Sequence, residues 1–531
     1  MLSRPTRKKK TFILGLKLPL LFTLLLLTLH SCQQKKEYNT LRLNLSCEPP
    51  TLDLREATDT TSMNVLLMLF EGLTRFNGAN EAILAAAESL VISEDGCTYT
   101  FHLRDHLWSN GDRVTAHDYV ATWRAVLDPN FPAPFAYKFF CIKGAEEVRK
   151  GAPAETLAVR ALDARTLEVN LNHPVPYFLE LIALPTFYPL HMSSVSNHPN
   201  WAKEAGPFYV CNGPFIMKSW EHESELILRK NRFYWDESKV HLNSIHLAMV
   251  ADPATEFYMF EMGELDWAGS PLSSLPLDFI PTLEEEGKLN HYKTNGVYYY
   301  KLNTESPPLN NIKVRRALGL SIDRQAIITH ILQADQRVAT AFVPGNTSFF
   351  EDNSSEALRL FAEGLREENY TSTPTLTLCY NSNTQHQKIA QAIQQQWKTA
   401  LNLDVQLESC DWKVYLDKIS TQNYQIARLG WIGEHSDPIS YLEPFKTKSQ
   451  ENNECGWENE EFRKLIEASN YELDREKRLT MLHDAEAILM NEMPIIPIYF
   501  LNNCYLKKPY VKGAILTSLG TIDLKEARIE P

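Results

Sequence analysis

The segment IARLGWIGEHSD concentrates charged and aromatic side chains in one short stretch of the chain. Arg428 and Trp431 come first, and Glu434, His435 and Asp437 follow. Carboxylates beside an imidazole are the groups used for general acid–base catalysis and for metal ligation. An arginine and a carboxylate at the two ends of a segment also suit a ligand that is charged at both ends. A solvated loop is the third interpretation, and the local residues do not choose among the three.

Catalytic signatures are missing from the rest of the sequence. The chain contains no HExxH zinc motif, no GxSxG nucleophile turn and no glycine-rich phosphate loop. Its cysteines are widely spaced, without a CxxC pair or a zinc-type Cys/His pattern. We therefore predict a protein that is not an enzyme and that uses no metal or cofactor. An exported hydrolase is kept as a remote alternative.

The N-terminus predicts export. The basic stretch RPTRKKK is followed by the apolar run Leu18–Leu29 and then by Cys32. That run is shorter than the roughly 20 residues of a transmembrane helix and has the layout of a signal peptide. LHSC resembles the lipobox of bacterial lipoproteins, whose cysteine is lipidated. We predict a signal peptide over 1–31, a lipid on Cys32, a tether over 32–37 and a location in the cell envelope or periplasm. An uncleaved anchor is the alternative.

The charge balance argues against nucleic-acid binding. The formal net charge is −13 at pH 7, and the first 31 residues hold lysines and arginines but no acid. The remaining chain is therefore more acidic still, whereas nucleic-acid binding needs a basic surface. Outside the cytoplasm the cysteines other than Cys32 are free to form disulfides. Their pairing does not follow from the sequence, and buried free thiols are an equally good interpretation.

Apolar periodicity places the charged segment at the end of a strand. Residues 426–432 predict a strand followed by a turn, and residues 375–410 predict a parallel β-α-β unit. Helical spacing is found over Thr61–Leu73 and over 314–332. This mixed order favours an α/β fold with two lobes over a single barrel.

A motif over residues 95–128 carries a family resemblance. DGCTYTFHLRDHLWSNGDRVTAHDYVATWRAVLD resembles the signature of solute-binding proteins of peptide ABC transporters, with its TFHLR strand, WSNG turn and TAHDY helix start. Further matches along the predicted mature chain are LFEGL, NGPF, FEMGELD and SPPLNNIKVRRALGLSIDR. Within this family the chain is most similar to the oligopeptide-binding members. We interpret the motifs as scaffold that identifies the fold without building the pocket.

The resemblance implies a periplasmic-binding-protein-like α/β fold of class II, cluster C type. Lobe I would combine 38–71, 207–297 and 501–531, an extra domain II would cover 72–206, and lobe III would cover 298–500. Ligand would lie between lobes that close over it about a hinge.

The resemblance also implies a function. The chain would capture short peptides as a lipid-anchored monomer and deliver them to the permease subunits of an ABC importer. Peptides of any sequence share their main-chain amides and their charged termini. The main-chain amides can pair with the protein as an added strand, and the charged termini need protein groups of opposite charge. The alternatives are the same fold with another ligand (dipeptide, muropeptide, metal chelate, haem or sugar) and a lipoprotein that only scaffolds the envelope.

Residue by residue, the resemblance assigns the charges of the segment IARLGWIGEHSD. Arg428 falls on the family's arginine for the peptide carboxylate, and Glu434 falls on its aspartate for the α-ammonium. His386 falls on a second carboxylate partner, Trp412 on a cleft tryptophan, and Trp431 lies between the two charges. The plainer alternatives are a surface ion pair for Arg428, core packing for Trp431, a solvated helix start for His386 and a loop carboxylate for Glu434.

Main-chain contacts complete the predicted site. Gly430 and Ile432 belong to the strand that pairs with peptide, and Ser46 and Cys47 lie where the opposite lobe meets ligand in the family. A departure from the family pattern is Ile419, which stands where a further arginine helps to receive longer peptides.

Other departures concern the end of the segment. Glu434 is one methylene longer than the family's aspartate, His435 replaces a tyrosine, and Ile432 replaces a disulfide cysteine. We therefore expect a pocket with its own preference, such as tripeptides or muropeptide stems.

Overall fold

The computed structural model describes residues 1–2, 39–334, 336–433, 435, 437–449, 452–472 and 474–530. All but the first two residues of the predicted signal peptide, and also Cys32, the tether and Glu434, lie outside these residues. Within them, no helix combines the length and the apolar character needed to cross a membrane.

In the described part of the chain the strands form six sheets. The strands are β1 Thr40–Asn44, β2 Thr74–Phe76, β3 Ala82–Leu84, β4 Ala87–Ile92, β5 Thr98–Leu103, β6 Val159–Ala161, β7 Thr166–Asn170, β8 Phe215–Glu221, β9 Glu225–Lys230, β10 Ser244–Ala248, β11 Trp267–Gly269, β12 Asn290–Leu302, β13 Arg337–Val338, β14 Thr375–Asn381, β15 Asp404–Cys410, β16 Ile426–Ile432, β17 Ile495–Lys507, β18 Val511–Lys512, β19 Ile515–Leu516, β20 Ile522–Asp523 and β21 Arg528–Ile529.

The helices surround these sheets. They are α1 Thr60–Leu69, α2 Ala116–Val126, α3 Ala145–Arg149, α4 Phe178–Leu181, α5 Met192–Asn197, α6 Pro253–Glu261, α7 Ile280–Glu285, α8 Ile312–Leu320, α9 Arg324–Ile327, α10 Ser354–Glu367, α11 Thr384–Leu401, α12 Trp412–Ser420, α13 Ile439–Leu442, α14 Glu460–Ser469 and α15 Arg475–Glu492. A π-helical turn, Ile328–Leu332, follows α9, and short 3₁₀ turns lie at Ala136–Cys141, Ala154–Thr156, Pro185–Phe187, Glu237–Lys239, Leu277–Phe279 and Glu443–Phe445.

The first lobe is built on the sheet β1-β10-β9-β8. β1 runs parallel to β10, and its alternation buries Leu41 and Leu43 while Arg42 pairs with Asp266. The predicted strand is therefore confirmed, although it ends at Asn44. The Asn44 side chain bonds the main chain of Val250 at both its N–H and its C=O, so the chain turns away from the sheet there.

The motif over residues 95–128 forms part of the extra domain and serves as scaffold. Its strand β5 is central in the sheet β4-β5-β7-β6, and its helix α2 buries Trp123 against that domain's core. Asp118 accepts from the N–H of Thr115 at 2.7 Å, which satisfies a donor at the start of α2. Trp108 is fully buried. These contacts support the interpretation of the motif as scaffold.

The second lobe is built on the sheet β11-β17-β12-β16-β14-β15, with β13 beside β17. β14 and β15 are parallel, with α11 between them in sequence, as the β-α-β pattern predicts. The long strand β17 pairs with β12 on one side and with the short strand β11 on the other. The pairing of β12 with β17 loses its regular register between Lys293 and Val297, which makes this stretch the hinge candidate. The proposed domain boundaries remain a prediction.

Two predicted helices are wrong in extent. The helix expected over Thr61–Leu73 ends at Leu69, and Phe70 is already extended. The single helix expected over 314–332 is two helices, α8 and α9, followed by the π-helical turn. Ser321 bonds back to the carbonyl of Ala317 at 2.8 Å, and Asp323 caps a new helix through Ala326 N–H. Short polar side chains compete with the helix for these main-chain groups.

Candidate functional site

The strand β16 carries the predicted site. One of its two edges is only partly paired with a neighbouring strand. It pairs antiparallel with β12 along its whole length, from Gly296 opposite Ile432 to Leu302 opposite Ile426. On its other edge β14 pairs only with Ile426 and Ala427. From Arg428 to Ile432, no described strand covers that edge.

The alternation of the main chain shows which groups face the open edge. Asn303 N–H donates to Gln425 C=O, and Gly433 N–H donates to Asn295 C=O, so the odd-numbered residues of this stretch face β12. The N–H and C=O groups of Gly430 and Ile432 therefore point to the open side. Gly430 is exposed, and an edge of this kind is a template for an added peptide strand.

Arg428 stands beside this edge without an anion. Its guanidinium carbon lies 4.5 Å from the centre of the Tyr298 ring, and its Nη1 donates to Asn381 Oδ1 at 3.3 Å. Nε is buried and has no hydrogen-bond partner, and no carboxylate among the described residues forms an ion pair with it. The Arg428 carbonyl accepts from the hydroxyl of Tyr415. Within the described residues, the surface ion pair of the plain alternative is not seen.

His386 joins the same cluster. Its Nδ1 lies 3.4 Å from the Tyr298 hydroxyl, in the first turn of α11. Burial, followed by the charge of Arg428, lowers the pKa of His386 well below its ordinary value. The ring is therefore neutral at pH 7 and able to donate or accept one hydrogen bond on each side. The sequence predicts Arg428 and His386 as partners, and the structure brings them together through Tyr298.

Trp431 is anchored within its own lobe. Its Nε1 donates to the Ser440 carbonyl at 2.9 Å, and its ring packs against the core cluster that contains Tyr441. The ring remains half-buried, and its N–H is already used. The structure thus supports a packing role for Trp431, and its contact with ligand remains a prediction.

Two side chains of the possible catalytic cluster, those of His435 and Asp437, have structural partners outside the cluster. His435 is buried and stacks on Tyr177 of the extra domain, with ring centroids 4.0 Å apart. Asp437 instead pairs with Arg478, whose Nη2 lies 3.0 Å from Oδ1. Among the described residues no group of His, Cys, Asp and Glu side chains could hold a metal ion. Glu434 is not described.

Trp412 begins α12 and meets the opposite lobe. Its ring stacks on Tyr415, with ring centroids 6.1 Å apart, and its indole lies near the carboxylate of Asp59, at the start of α1. Ile419, on the same helix, is buried with Tyr415 in an apolar cluster beneath β16. Its apolar character is thus explained by packing.

Ser46 and Cys47 form a turn and do not continue β1. Ser46 has a left-handed φ of 59°, and Cys47 N–H donates to Leu45 C=O at 2.7 Å. Ser46 N–H donates to Asn44 Oδ1. Their amides are therefore occupied, while their carbonyls accept no hydrogen bond within the described chain.

Sequence reasoning missed four residues of this neighbourhood: Tyr298, Asn381, Tyr415 and Asp59. Tyr298 lies directly opposite Gly430 in the register of β12 and β16. Once β12 and β16 are known to pair, their register identifies Tyr298 as a neighbour of the site. The sequence pattern YYYK by itself predicts only a buried strand. Asn381 and Tyr415 reach Arg428 from β14 and α12, so only the tertiary fold reveals them.

A two-lobed α/β fold, with an open strand edge beside an arginine that no described carboxylate pairs with, is typical of a ligand-binding protein of the hinged class. The family model described as bacterial extracellular solute-binding proteins, family 5 Middle, matches residues 81–453. The chain belongs to this family, and the predicted family and fold class are confirmed. As an extracellular solute-binding protein it functions outside the cytoplasm.

Individual relatives cover nearly the whole chain. The oligopeptide-binding protein OppA of Bacillus subtilis is 42% identical over 509 residues, which is 93% of each chain. The crystal structure of Haemophilus influenzae OppA in complex with the peptide RPPGFSPFR is 29% identical, has a TM-score of 0.87, and matches over 93% of this chain and 100% of that one.

Two structures of one relative indicate the arrangement of the lobes. The Escherichia coli murein tripeptide-binding protein MppA has a TM-score of 0.86 at 29% identity, over 93% of this chain and 99% of that one. The unliganded open form of MppA has a TM-score of only 0.61 at the same identity, over 93% and 98%. The lobes described here are therefore not arranged as in that open form.

Proposed function

We propose that this chain captures short peptides between its lobes and delivers them to the permease subunits of an ABC importer, without catalysis. The relatives that are named for oligopeptides, dipeptides and murein peptides support a peptide as the ligand. In this proposal the peptide lies along β16, with its carboxylate at Arg428 and its N–H and C=O groups on the edge at Gly430 and Ile432.

The observation that carries the proposal is the unpaired cation beside the open edge. Arg428 has a buried Nε without a partner and no anion among the described residues, next to main-chain groups that face the cleft. An uncompensated charge in this setting costs several kcal/mol, which a bound carboxylate would recover. A peptide supplies that carboxylate and a strand in the same molecule, whereas a single amino acid or a chelate supplies no strand.

The roles of the other residues in the proposed site follow from this placement of the peptide. Tyr298 and His386 flank the carboxylate position, Trp431 and Trp412 border the peptide, and Glu434 receives the α-ammonium. The carbonyls of Ser46 and Cys47 accept from peptide N–H groups on the opposite lobe.

A thermal-shift series tests the proposal. Ligand stabilises the folded chain by RT ln(1 + [L]/Kd), which is about 2.7 kcal/mol at 100 times Kd. We expect tri- to pentapeptides to raise the Tm more than amino acids, with dipeptides and muropeptides as comparison arms. A matched C-amidated peptide should raise it less than the free acid. If no peptide raises the Tm, the proposed function is wrong.

The location of the protein is part of the same proposal. We propose that Cys32 carries a lipid and that the mature chain acts as a monomer tethered to the membrane. Cys32→Ala should release the protein from the membrane fraction, while peptide binding by the purified chain should not change. A variant that stays in the membrane fraction would contradict the lipid anchor.

A further inference from the structure

The extra domain and the first lobe share one hydrophobic core. Leu43 of the first lobe and Trp123 of the extra domain belong to the same continuous cluster of buried apolar side chains. The second lobe has core clusters of its own, one of which contains Tyr299 and Tyr441. A hinge motion between the lobes therefore carries the extra domain towards the second lobe or away from it.

Tyr177 of the extra domain crosses the boundary to the second lobe. It packs against the core cluster of its own body and also against the second-lobe cluster that contains Tyr441. Its ring stacks on His435, with ring centroids 4.0 Å apart and 12° between the ring planes. Asn452 Nδ2 donates to the Tyr137 hydroxyl across the same boundary at 3.4 Å. A cavity of about 280 Å³, lined from both sides, adjoins the stack, so this boundary is only partly packed and is able to separate.

His435 fits this contact as a neutral ring. Asp437 N–H donates to its Nδ1 at 3.3 Å, so Nδ1 is an acceptor and the ring proton is on Nε2. A proton added at Nδ1 would break that bond and would place a charge on a residue that is only 5% exposed. Burial, followed by the charges of Lys138 and Arg478, lowers the pKa of His435 well below its ordinary value.

The ionisable groups around the stack come from both sides of the boundary. They are Lys138, Cys141 and the Tyr177 hydroxyl on the extra domain, and Arg478, Asp437 and Glu443 on the second lobe, while Glu434 adjoins His435 in sequence. Arg478 pairs with Asp437 within the second lobe, so this pair stays beside His435 when the lobes separate. Separation removes Tyr177 and Lys138. The stack and one of the two cations therefore belong to the closed arrangement alone.

We propose that the Tyr177–His435 stack is a pH-sensitive contact, which forms when the lobes close over ligand and which protonation of His435 releases. This inference rests on the proposed capture of ligand between the lobes and adds control of its release by acid. In the open chain His435 takes up a proton near its ordinary pKa of about 6.5, whereas in the closed chain it does not. The open form therefore binds more protons below this pH, so ligand affinity falls as pH falls.

Binding of trialanine and tetra-alanine tests this linkage, because the termini of these peptides are their only ionising groups and keep their charges between pH 5 and pH 7. The dissociation constant is measured by calorimetry across this range for wild type, His435→Asn and His435→Phe. Asparagine keeps an acceptor for Asp437 N–H, phenylalanine keeps a ring to stack on Tyr177, and neither takes up a proton. His386 titrates in all three proteins, and its contribution cancels in the ratio of wild-type to variant Kd.

The expected result is a ratio that changes with pH. Between pH 7 and pH 5 the wild-type Kd should rise roughly tenfold or more relative to the Kd of each His435 variant. His173→Asn is the comparison, because His173 lies at the same boundary, stacked on Tyr471 with ring centroids 4.9 Å apart. This variant should keep the pH dependence of wild type.

The inference is overturned if the ratio of wild-type to His435-variant Kd is the same at every pH. In that case His435 only anchors its own loop, and its replacement shifts affinity or stability by a constant amount. A wild-type protein that binds no peptide at pH 7 would instead contradict the proposed function, so the two failures are distinguishable. Circular-dichroism melts at each pH confirm that the variants are folded.

Discussion

The guanidinium carbon of Arg428 lies 4.5 Å from the centre of the Tyr298 ring. A cation over an aromatic face gains about 0.5–2 kcal/mol, depending on how far it is desolvated. That gain replaces only part of the hydration that the half-buried guanidinium has lost, because no carboxylate of the described chain pairs with it. Tyr298 thus holds the arginine in place while leaving its charge available to a ligand.

Arg428→Gln should weaken peptide binding far more than it weakens folding. Among the described residues the side chain has one hydrogen bond, to Asn381, whereas a charge-assisted pair with a carboxylate is worth about 1.5–3 kcal/mol. We expect roughly a 10- to 100-fold loss of affinity, measured by calorimetry.

Peptide amidation provides the control for Arg428. If Arg428 receives the carboxylate, C-amidation of the peptide should reduce its affinity for wild type by about as much as the mutation does. It should reduce the affinity for Arg428→Gln little further. Arg428→Lys should lie between the two because it keeps the charge but loses the planar fork. Equal affinity of Arg428→Gln for the free acid would show that Arg428 has another role.

N-methylation of the peptide should test strand addition. The N–H and C=O groups of Gly430 and Ile432 face the open edge, so alternate peptide amides should pair with them. Methylating such an amide removes a hydrogen-bond donor and introduces a steric clash. We expect the binding free energy to weaken by about 1 kcal/mol or more at each of these positions. Methylation of the intervening amides should have little effect. A scan without such alternation would contradict pairing along β16.

The parts of the site that could be predicted are those fixed by local pattern. The strand Ile426–Ile432 has the predicted bounds because its apolar periodicity and the following turn are both local. The β-α-β unit before it follows from the same kind of signal. The partnership of Arg428 with His386 came from the family resemblance and not from periodicity.

Other features depend on contacts between distant segments. The open edge at Gly430 exists because β14 stops pairing after Ala427, which no local pattern contains. Asp59 reads in the sequence as an ordinary polar residue before a helix. Its burial, and its position near Trp412 far along the chain, depend on the tertiary fold.

Glu434→Gln should reveal which peptide terminus this side chain serves. Its assignment to the α-ammonium remains a prediction, based on its place in the family pattern. The variant should bind free peptides about tenfold or more weakly, because a buried ammonium would lose its counter-charge. N-acetylated peptides should bind wild type and variant alike. If acetylation leaves wild-type affinity unchanged, the ammonium assignment is wrong.

Acid should destabilise the chain through His386. Burial and the nearby Arg428 lower the pKa of this ring well below its ordinary value. Below about pH 6.5 the unfolded chain binds a proton at this histidine that the folded chain does not bind, so the free energy of unfolding falls as pH falls. The loss approaches about 1.4 kcal/mol per pH unit, until the folded ring also takes up the proton.

Other groups titrate in the same range, so the test must be a difference between proteins. Burial raises the pKa of Glu256 to about 7, and this carboxyl makes the folded chain less stable as pH rises, which is the opposite sign. Glu256 is present in wild type and in His386→Gln, and it cancels when their urea-unfolding free energies are subtracted. The stability of His386→Gln relative to wild type should increase steadily from about pH 7 to pH 5. A flat difference for His386→Gln would contradict a neutral ring in the folded chain.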